Sequence, residues 1–319
     1  MRYPRARFNF ASKGKEKQEP SARVIAGSIL SSVIFLSVLA FVLFGGHRFF
    51  FGLVRAAGRS NPAELWAEQR YQELIAEAET RLSEDPMDRN ALVYSGFAQF
   101  YSGLEQVEEE QRLEYMQGSI RTLRKALLHD ENALRGELYY VLSKAYFHTG
   151  PFYYDLSVEY MQRALDHGFD APDAQEYLAV AYSDLGRHER AAESLRAAVA
   201  DNPNDLLYFT LGETQIELAQ PAEAEHAFER VLDVSEDSYL IQQSQLRLAE
   251  LLIEEGRYDE ALEQLEDVLE SNEESAQAYY LRGRLHLAQD DRERARAQWR
   301  EAVRLDPQHT EALRSLQNN

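Results

Sequence analysis

One spacing of small and bulky residues recurs five times between positions 136 and 307, and it restricts the chain to stacked helical hairpins. A clear copy holds Leu178, Ala179, Tyr182, Gly186, Ala191, Leu195, Ala198 and Pro203. The frame returns as Leu211, Gly212, Ala219, Ala224, Phe228, Val231 and Glu236, then as Leu248, Ala249, Leu252, Gly256, Ala261, Leu265, Val268 and Glu273. The last copy is Tyr279, Gly283, His286, Ala295, Trp299, Ala302 and Pro307. The small residues Ser143, Ala179, Gly212, Ala249 and Gly283 lie 36, 33, 37 and 34 positions apart. Small residues belong where two antiparallel helices cross, because a larger side chain would hold the axes apart. Phe228, Leu265 and Trp299 are expected to fill the groove towards the next unit. Gly186 and Gly256 suit the tight turn inside a unit, and Pro203 and Pro307 stop its second helix.

This frame resembles the tetratricopeptide repeat, a helix–turn–helix unit of about 34 residues. The resemblance implies an all-α, right-handed helical solenoid, with five units over 136–308 and degenerate units over 61–135. Ser143, Tyr146, Gly150, Ser157, Met161 and Ala164 mark a copy with a short insertion near 151–154. Gly96, Ser119, Leu123 and Ala126 mark one with a long insertion through 104–111. Residues 71–86 read as a second helix, preceded by a short first helix from Pro62 that contains Trp66. Residues 309–319 suit a capping helix and tail.

Residues 24–46, VIAGSILSSVIFLSVLAFVLFGG, form a run of 23 without a charge. As a helix it would be about 35 Å long, enough for a hydrocarbon core of about 30 Å. A secretory signal has an apolar region of only about 7–15 residues, so the run reads as an uncleaved transmembrane helix. Seven Lys/Arg precede it and three follow closely, which places the basic tail 1–23 in the cytoplasm and the solenoid across the membrane. Residues 47–60 form a juxtamembrane linker. Within it 47–54, with Phe49, Phe50 and Phe51, is either an interfacial segment or the end of a tilted helix. The whole layout resembles membrane-anchored bacterial proteins of this family. That implies a single-pass protein of the inner (cytoplasmic) membrane with a periplasmic or other extracytoplasmic repeat domain.

Charge divides the chain in the same place. Residues 1–59 carry ten Lys/Arg and two Asp/Glu, whereas the remainder carries 24 and 52, a net of −28. Such an acidic domain repels nucleic acid, while the basic tail suits an anionic leaflet. The chain has no cysteine, hence no disulfide, thiolate metal site or lipid-bearing cysteine. Its eight histidines are dispersed, none in a metal-ligand frame, and no glycine-rich phosphate loop occurs. His286 sits at a packing position, and Glu108, Glu109 and Glu110 sit in the 104–111 insertion. No catalytic constellation, cofactor site or metal site emerges, and the chain is not expected to be an enzyme.

What remains is binding to protein or peptide. The resemblance implies that the first helix of each unit lines a concave groove. The candidate groove residues are Tyr140, Lys144 and Phe147; Tyr177, Val180 and Asp184; Phe209, Glu213 and Ile216; Arg247, Glu250 and Ile253; Tyr280, Arg284 and Leu287. The family's carboxylate clamp uses Lys, Arg and Asn at such positions. Here no Asn occurs, and Glu213, Glu250 and Asp184 are expected to repel a carboxylate. Apolar and basic partner segments fit better, unless the acids simply share the domain's overall surface charge. The expected function is a membrane-anchored interaction scaffold for envelope, secretion or motor complexes. A periplasmic chaperone holding exported chains near the translocon is the alternative, and a non-catalytic subunit of an enzyme complex is a third.

Overall fold

A computed structural model describes residues 61–129 and 134–318, all within the compact unit Gly58–Asn319. The apolar run 24–46 and its flanks lie outside the described residues. Among the described residues no helix is long and apolar enough to cross a membrane.

The described residues are helical throughout and form successive hairpins. These are α1 (Pro62–Ala67) with α2 (Tyr71–Glu84), α3 (Arg89–Leu104) with α4 (Glu109–Ala126), and α5 (Arg135–Thr149) with α6 (Tyr154–Asp166). They continue as α7 (Ala174–Asp184) with α8 (His188–Asp201), α9 (Asp205–Glu217) with α10 (Pro221–Val234), α11 (Ser238–Glu255) with α12 (Tyr258–Ser271), and α13 (Ala276–Ala288) with α14 (Arg292–Leu305). Helix α15 (Thr310–Asn318) packs on α14 at the end of the stack. Each second helix packs on the first helix of the next hairpin.

Local chemistry sets the helix ends. Asp88, Asn204, Asp237, Ser275 and Asp291 each accept a hydrogen bond from a backbone N–H in the first turn that follows. Pro62 and Pro221 open their helices where no N–H is needed. The turn inside most hairpins is one motif. Arg70, Arg187, Gln220, Arg257 and Asp291 each donate a backbone N–H to the carbonyl five residues back. The residue before each then takes a left-handed φ: Gln69, Gly186, Ala219, Gly256 and Asp290. Glycine accepts that conformation without strain, so Gly186 and Gly256 are turn residues as expected. Ala219 holds the same geometry at φ 54° despite its Cβ.

The helix crossings follow from side-chain size. A Cβ added to Gly212 would lie 2.7 Å from the Phe228 ring, and one added to Gly283 would collide with Trp299. Gly96 stands in the same relation to Leu123. Phe228 and Trp299 therefore press on the glycine of their own hairpin, and each also packs towards the next helices, Phe228 in one cluster with Leu246 and Ala249 and Trp299 with Ala312. Trp299 also donates its indole N–H to the Tyr280 carbonyl at 3.2 Å. Ala179, Ala191, Ala224, Ala249, Ala261 and Ala295 are buried, whereas Pro307 is exposed just beyond α14.

The expected insertion at 104–111 is not a loop of that length. Only residues 105–108 separate α3 from α4; the extra residues lengthen the two helices to 16 and 18 residues. Glu109 and Glu110 sit in the first turn of α4, where carboxylates are favoured by the helix dipole. At 151–154 the chain makes a short 3-10 turn, Pro151–Tyr153.

The core is discontinuous. One apolar cluster runs from Leu92 to Ala191 and another from Ala224 to Leu285. Between them lies a small set, Ala179, Leu195, Ala198 and Leu207.

Candidate functional site

The odd-numbered helices stand side by side and share one face. Between α3 and α13 each successive pair of them packs directly, except α7 and α9, which scarcely meet. The candidate residues on this face fall into three environments.

At α5 the face is filled. Tyr140 is 8% exposed and Lys144 4%, so neither lines an open groove. The Lys144 ammonium donates to Asp173 Oδ2 at 2.7 Å and to the Tyr140 hydroxyl at 2.9 Å, while Tyr140 donates to Asp173 Oδ1 at 2.7 Å. The ammonium also lies 4.6 Å from the Tyr177 ring centre and 5.0 Å from that of Tyr140. Burial opposes its charge, but the oxygens of Tyr140, Tyr177 and Asp173 outweigh that and hold Lys144 well above the ordinary lysine range. Burial likewise raises Tyr140, Tyr177 and Tyr101, the last to about 12. His148 hydrogen-bonds the Tyr177 hydroxyl at 3.1 Å. Burial, then the charges of Lys144 and Arg112, push it down to about 3. Phe147 stacks on Tyr154 at 4.8 Å and meets the Tyr177 ring edge-on at 4.7 Å. Tyr140 and Lys144 are thus buried in a packed polar–aromatic knot and do not line an open groove, and Phe147 and Tyr177 are half-buried against it. They are covered because α3, α7 and the segment before α7 supply side chains that reach across α5.

At α9–α13 the face carries an ion-pair ladder. Arg247 Nη2 donates to Glu213 Oε2 at 3.0 Å, and its Nε approaches Glu213 Oε1 at 2.8 Å. Arg247 also reaches Glu250 at 3.4 Å, and Arg284 pairs with Glu250 and with Glu254, the latter at 3.3 Å. Glu213 and Arg247, like Glu250 and Arg284, are 34 positions apart, so the repeat period brings each acid beside the next unit's arginine. Glu213 and Glu250, expected to repel a carboxylate, are therefore each engaged by an arginine of the ladder, with three carboxylates sharing two arginines. Tyr280 packs on His309, with ring centres 5.0 Å apart.

Between these regions the face is open. Val180 on α7 is 47% exposed, and Leu206 and Ile216 on α9 are 49% and 36% exposed. Phe209 is half-buried and meets Phe228 edge-on at 5.6 Å. Along α7 the helical period aligns Glu176, Val180 and Asp184; along α9 it aligns Leu206, Phe209, Glu213 and Ile216. Sequence reasoning found Val180, Asp184, Phe209 and Ile216 but missed Leu206, which the i, i+3 spacing from Phe209 would have added. It also missed Asp173, which lies outside any first helix, and Glu176. Among the described residues no group of His, Asp or Glu is placed to hold a metal ion.

Residues 165–318 match the model of a tetratricopeptide repeat-like domain. The structure is similar to the crystal structure of YrrB, described as a TPR protein with an unusual peptide-binding site. That likeness has a TM-score of 0.51 and 22% identity, over 61% of this chain and 97% of YrrB. It is also similar to the C-terminal part of a TPR repeat-containing protein from Cytophaga hutchinsonii. There the TM-score is 0.57 at 14% identity, over 80% of this chain and 98% of the other. These likenesses concern the fold. No curated protein matches the chain.

Proposed function

We propose that this protein is a membrane-anchored scaffold whose tetratricopeptide-like solenoid binds protein segments on its first-helix face. The observation that carries the reading is the open apolar stretch at α7 and α9. Helix α9, DLLYFTLGETQIE, spreads its apolar residues around the helix instead of in one core-facing stripe, so burying one face leaves others uncovered. Here Leu206 and Ile216 remain exposed on the same face as Val180. Large side chains grouped this way favour a partner that covers them. Support for anchoring comes from the uncharged run 24–46, and the basic residues before it favour a cytoplasmic N-terminus with an extracytoplasmic solenoid. The peptide-binding site named for YrrB is consistent with such use of the fold.

The test is a photo-crosslinking amino acid at Val180 or Ile216, with Glu263 on the exposed side of α12 as control. A discrete adduct from the first two positions and none from Glu263 supports the scaffold. Many heterogeneous adducts instead mean a chaperone holding exported chains. Adducts from Glu263 alone would place the binding face on the second helices. A reporter active only outside the cytoplasm, fused after Asn319, should be active; a silent one reverses the orientation.

A further inference from the structure

We propose that the open stretch takes an extended segment of the pattern basic–x–apolar–x–basic, laid along α7 with its apolar side chain over Val180. This rests on the groove reading and adds the partner's chemistry and register. Glu176, Val180 and Asp184 recur every four residues on α7, so they form one stripe, acid–apolar–acid. Four helical residues advance about 6 Å, and alternate side chains of an extended strand lie about 6.6–6.8 Å apart. The two spacings match over three positions. Such a segment therefore sets its two outer side chains against the carboxylates and its central one against Val180.

The carboxylates need that complement. No lysine or arginine among the described residues pairs with Glu176 or Asp184, nor with Glu217 across the gap on α9. The nearby arginines are committed elsewhere: Arg187 to Asp155 at 2.6 Å, Arg190 to Glu193 at 3.7 Å and Arg247 to Glu213. The contrast with the ladder one hairpin on is direct, because there Glu213, Glu250 and Glu254 each have an arginine. Glu176 is already half-buried; burial, then the Asp173 charge, raise its pKa, and the Lys144 ammonium, paired with Asp173, opposes them only in part. A partner that covers Val180 removes more water from Glu176. Without a cation of its own, that partner leaves a carboxylate desolvated and unpaired, which weakens binding. With one, it gains a charge-assisted hydrogen bond. An acidic partner is excluded by repulsion and a neutral one is disfavoured by desolvation.

The experiment uses the full chain in mild detergent and fluorescent peptides of about fifteen residues. The probe carries Lys-Ser-Leu-Ser-Lys in a Gly/Ser background. Controls replace both lysines by glutamine or by glutamate, or shuffle the same residues to Lys-Lys-Leu-Ser-Ser. Anisotropy should show the alternating lysine probe bound about tenfold more tightly than the glutamine and shuffled probes, with the glutamate probe weakest. The double variant Glu176→Gln/Asp184→Asn should bind the lysine and glutamine probes alike, with unchanged helical content and melting. Equal binding of lysine and glutamine probes to the unaltered chain overturns the charge pattern, as does a double variant that still discriminates. If Leu206→Ala and Ile216→Ala nonetheless weaken every probe, the groove reading survives that failure. Binding indifferent to Leu206→Ala and Ile216→Ala overturns the groove itself, and no binding of any probe overturns the proposal.

Discussion

Helices α5 and α9 occupy the same place in their hairpins, yet ten of fifteen residues are buried in α5 and four of thirteen in α9. From α1 to α6 the packing is largely aromatic. Trp66, Tyr71 and Tyr101 interlock with ring centres 5.4–5.6 Å apart, and Tyr146 stacks on Tyr160 at 5.5 Å. Around α9 and beyond, Phe228 and Trp299 fill single crossings, the rest of the core is mostly Ala, Leu and Val, and many polar contacts are surface ion pairs. The same repeat thus makes a sealed block from α1 to α6 and a more open one from α7 onward. A frame position fixes which way a side chain points, but its neighbours decide whether it meets solvent. That is why the candidate face closes at Lys144 and opens at Val180.

The largest test of this difference is Lys144→Ala. It leaves Asp173 buried without its cation, and breaking such a pair costs about 3–5 kcal/mol. Repeat arrays need not unfold in one step, so the loss is expected in the first block, seen as an early transition in urea. A cost below 1 kcal/mol would mean that water reaches the knot and that the two blocks differ less than their burial suggests.

The second test uses pH. His148 is held near pKa 3 in the folded chain, against about 6.5 when unfolded. Its neutral form is the one the fold accommodates, so the associated stability is complete above about pH 6.5. It falls as the pH drops towards the folded value, because the unfolded chain then binds a proton that the folded chain refuses. His148→Gln keeps a hydrogen-bonding side chain opposite the Tyr177 hydroxyl and removes the titration. Between pH 7.5 and pH 5 the variant should gain up to about 2 kcal/mol on the unaltered protein. Parallel stability curves for the two proteins would show that His148 stays wet, and the first block would no longer count as sealed.

Much of the architecture was legible because it depends on residues close together in sequence. The small residues at 212 and 283, the bulky partners at 228 and 299, and the turn glycines at 186 and 256 are all features of a single hairpin. The groove was less legible because its state depends on neighbouring hairpins. Lys144 reads as a groove cation until Asp173, 29 positions on, is seen to bind it. Glu213 and Glu250 read as free acids until the repeat period sets Arg247 and Arg284 beside them. Ala219 matches the frame as a small residue, but nothing in its identity announces a left-handed turn. The extra residues at 104–111 read as an insertion because the frame has a fixed helix length, whereas α3 and α4 simply grow longer.

The smallest expected effect lies in the ladder. Glu250 is the branch point, accepting from Arg247 and Arg284, and its side chain is 30% exposed. Exposed pairs contribute about 0–1 kcal/mol each, because water and salt compete with them and two long side chains must be held still. Glu250→Gln keeps the shape, removes the charge and leaves two arginines facing each other across the hairpins. Chemical denaturation in urea should therefore show a loss of about 1 kcal/mol or less at low salt, shrinking further at high salt as the arginines are screened. The comparison between the blocks turns on that salt dependence. Lys144→Ala should cost nearly the same at both ionic strengths, since ions do not enter the knot. If Glu250→Gln costs as much as Lys144→Ala and ignores salt, the ladder is a buried network, and the second block is as closed as the first.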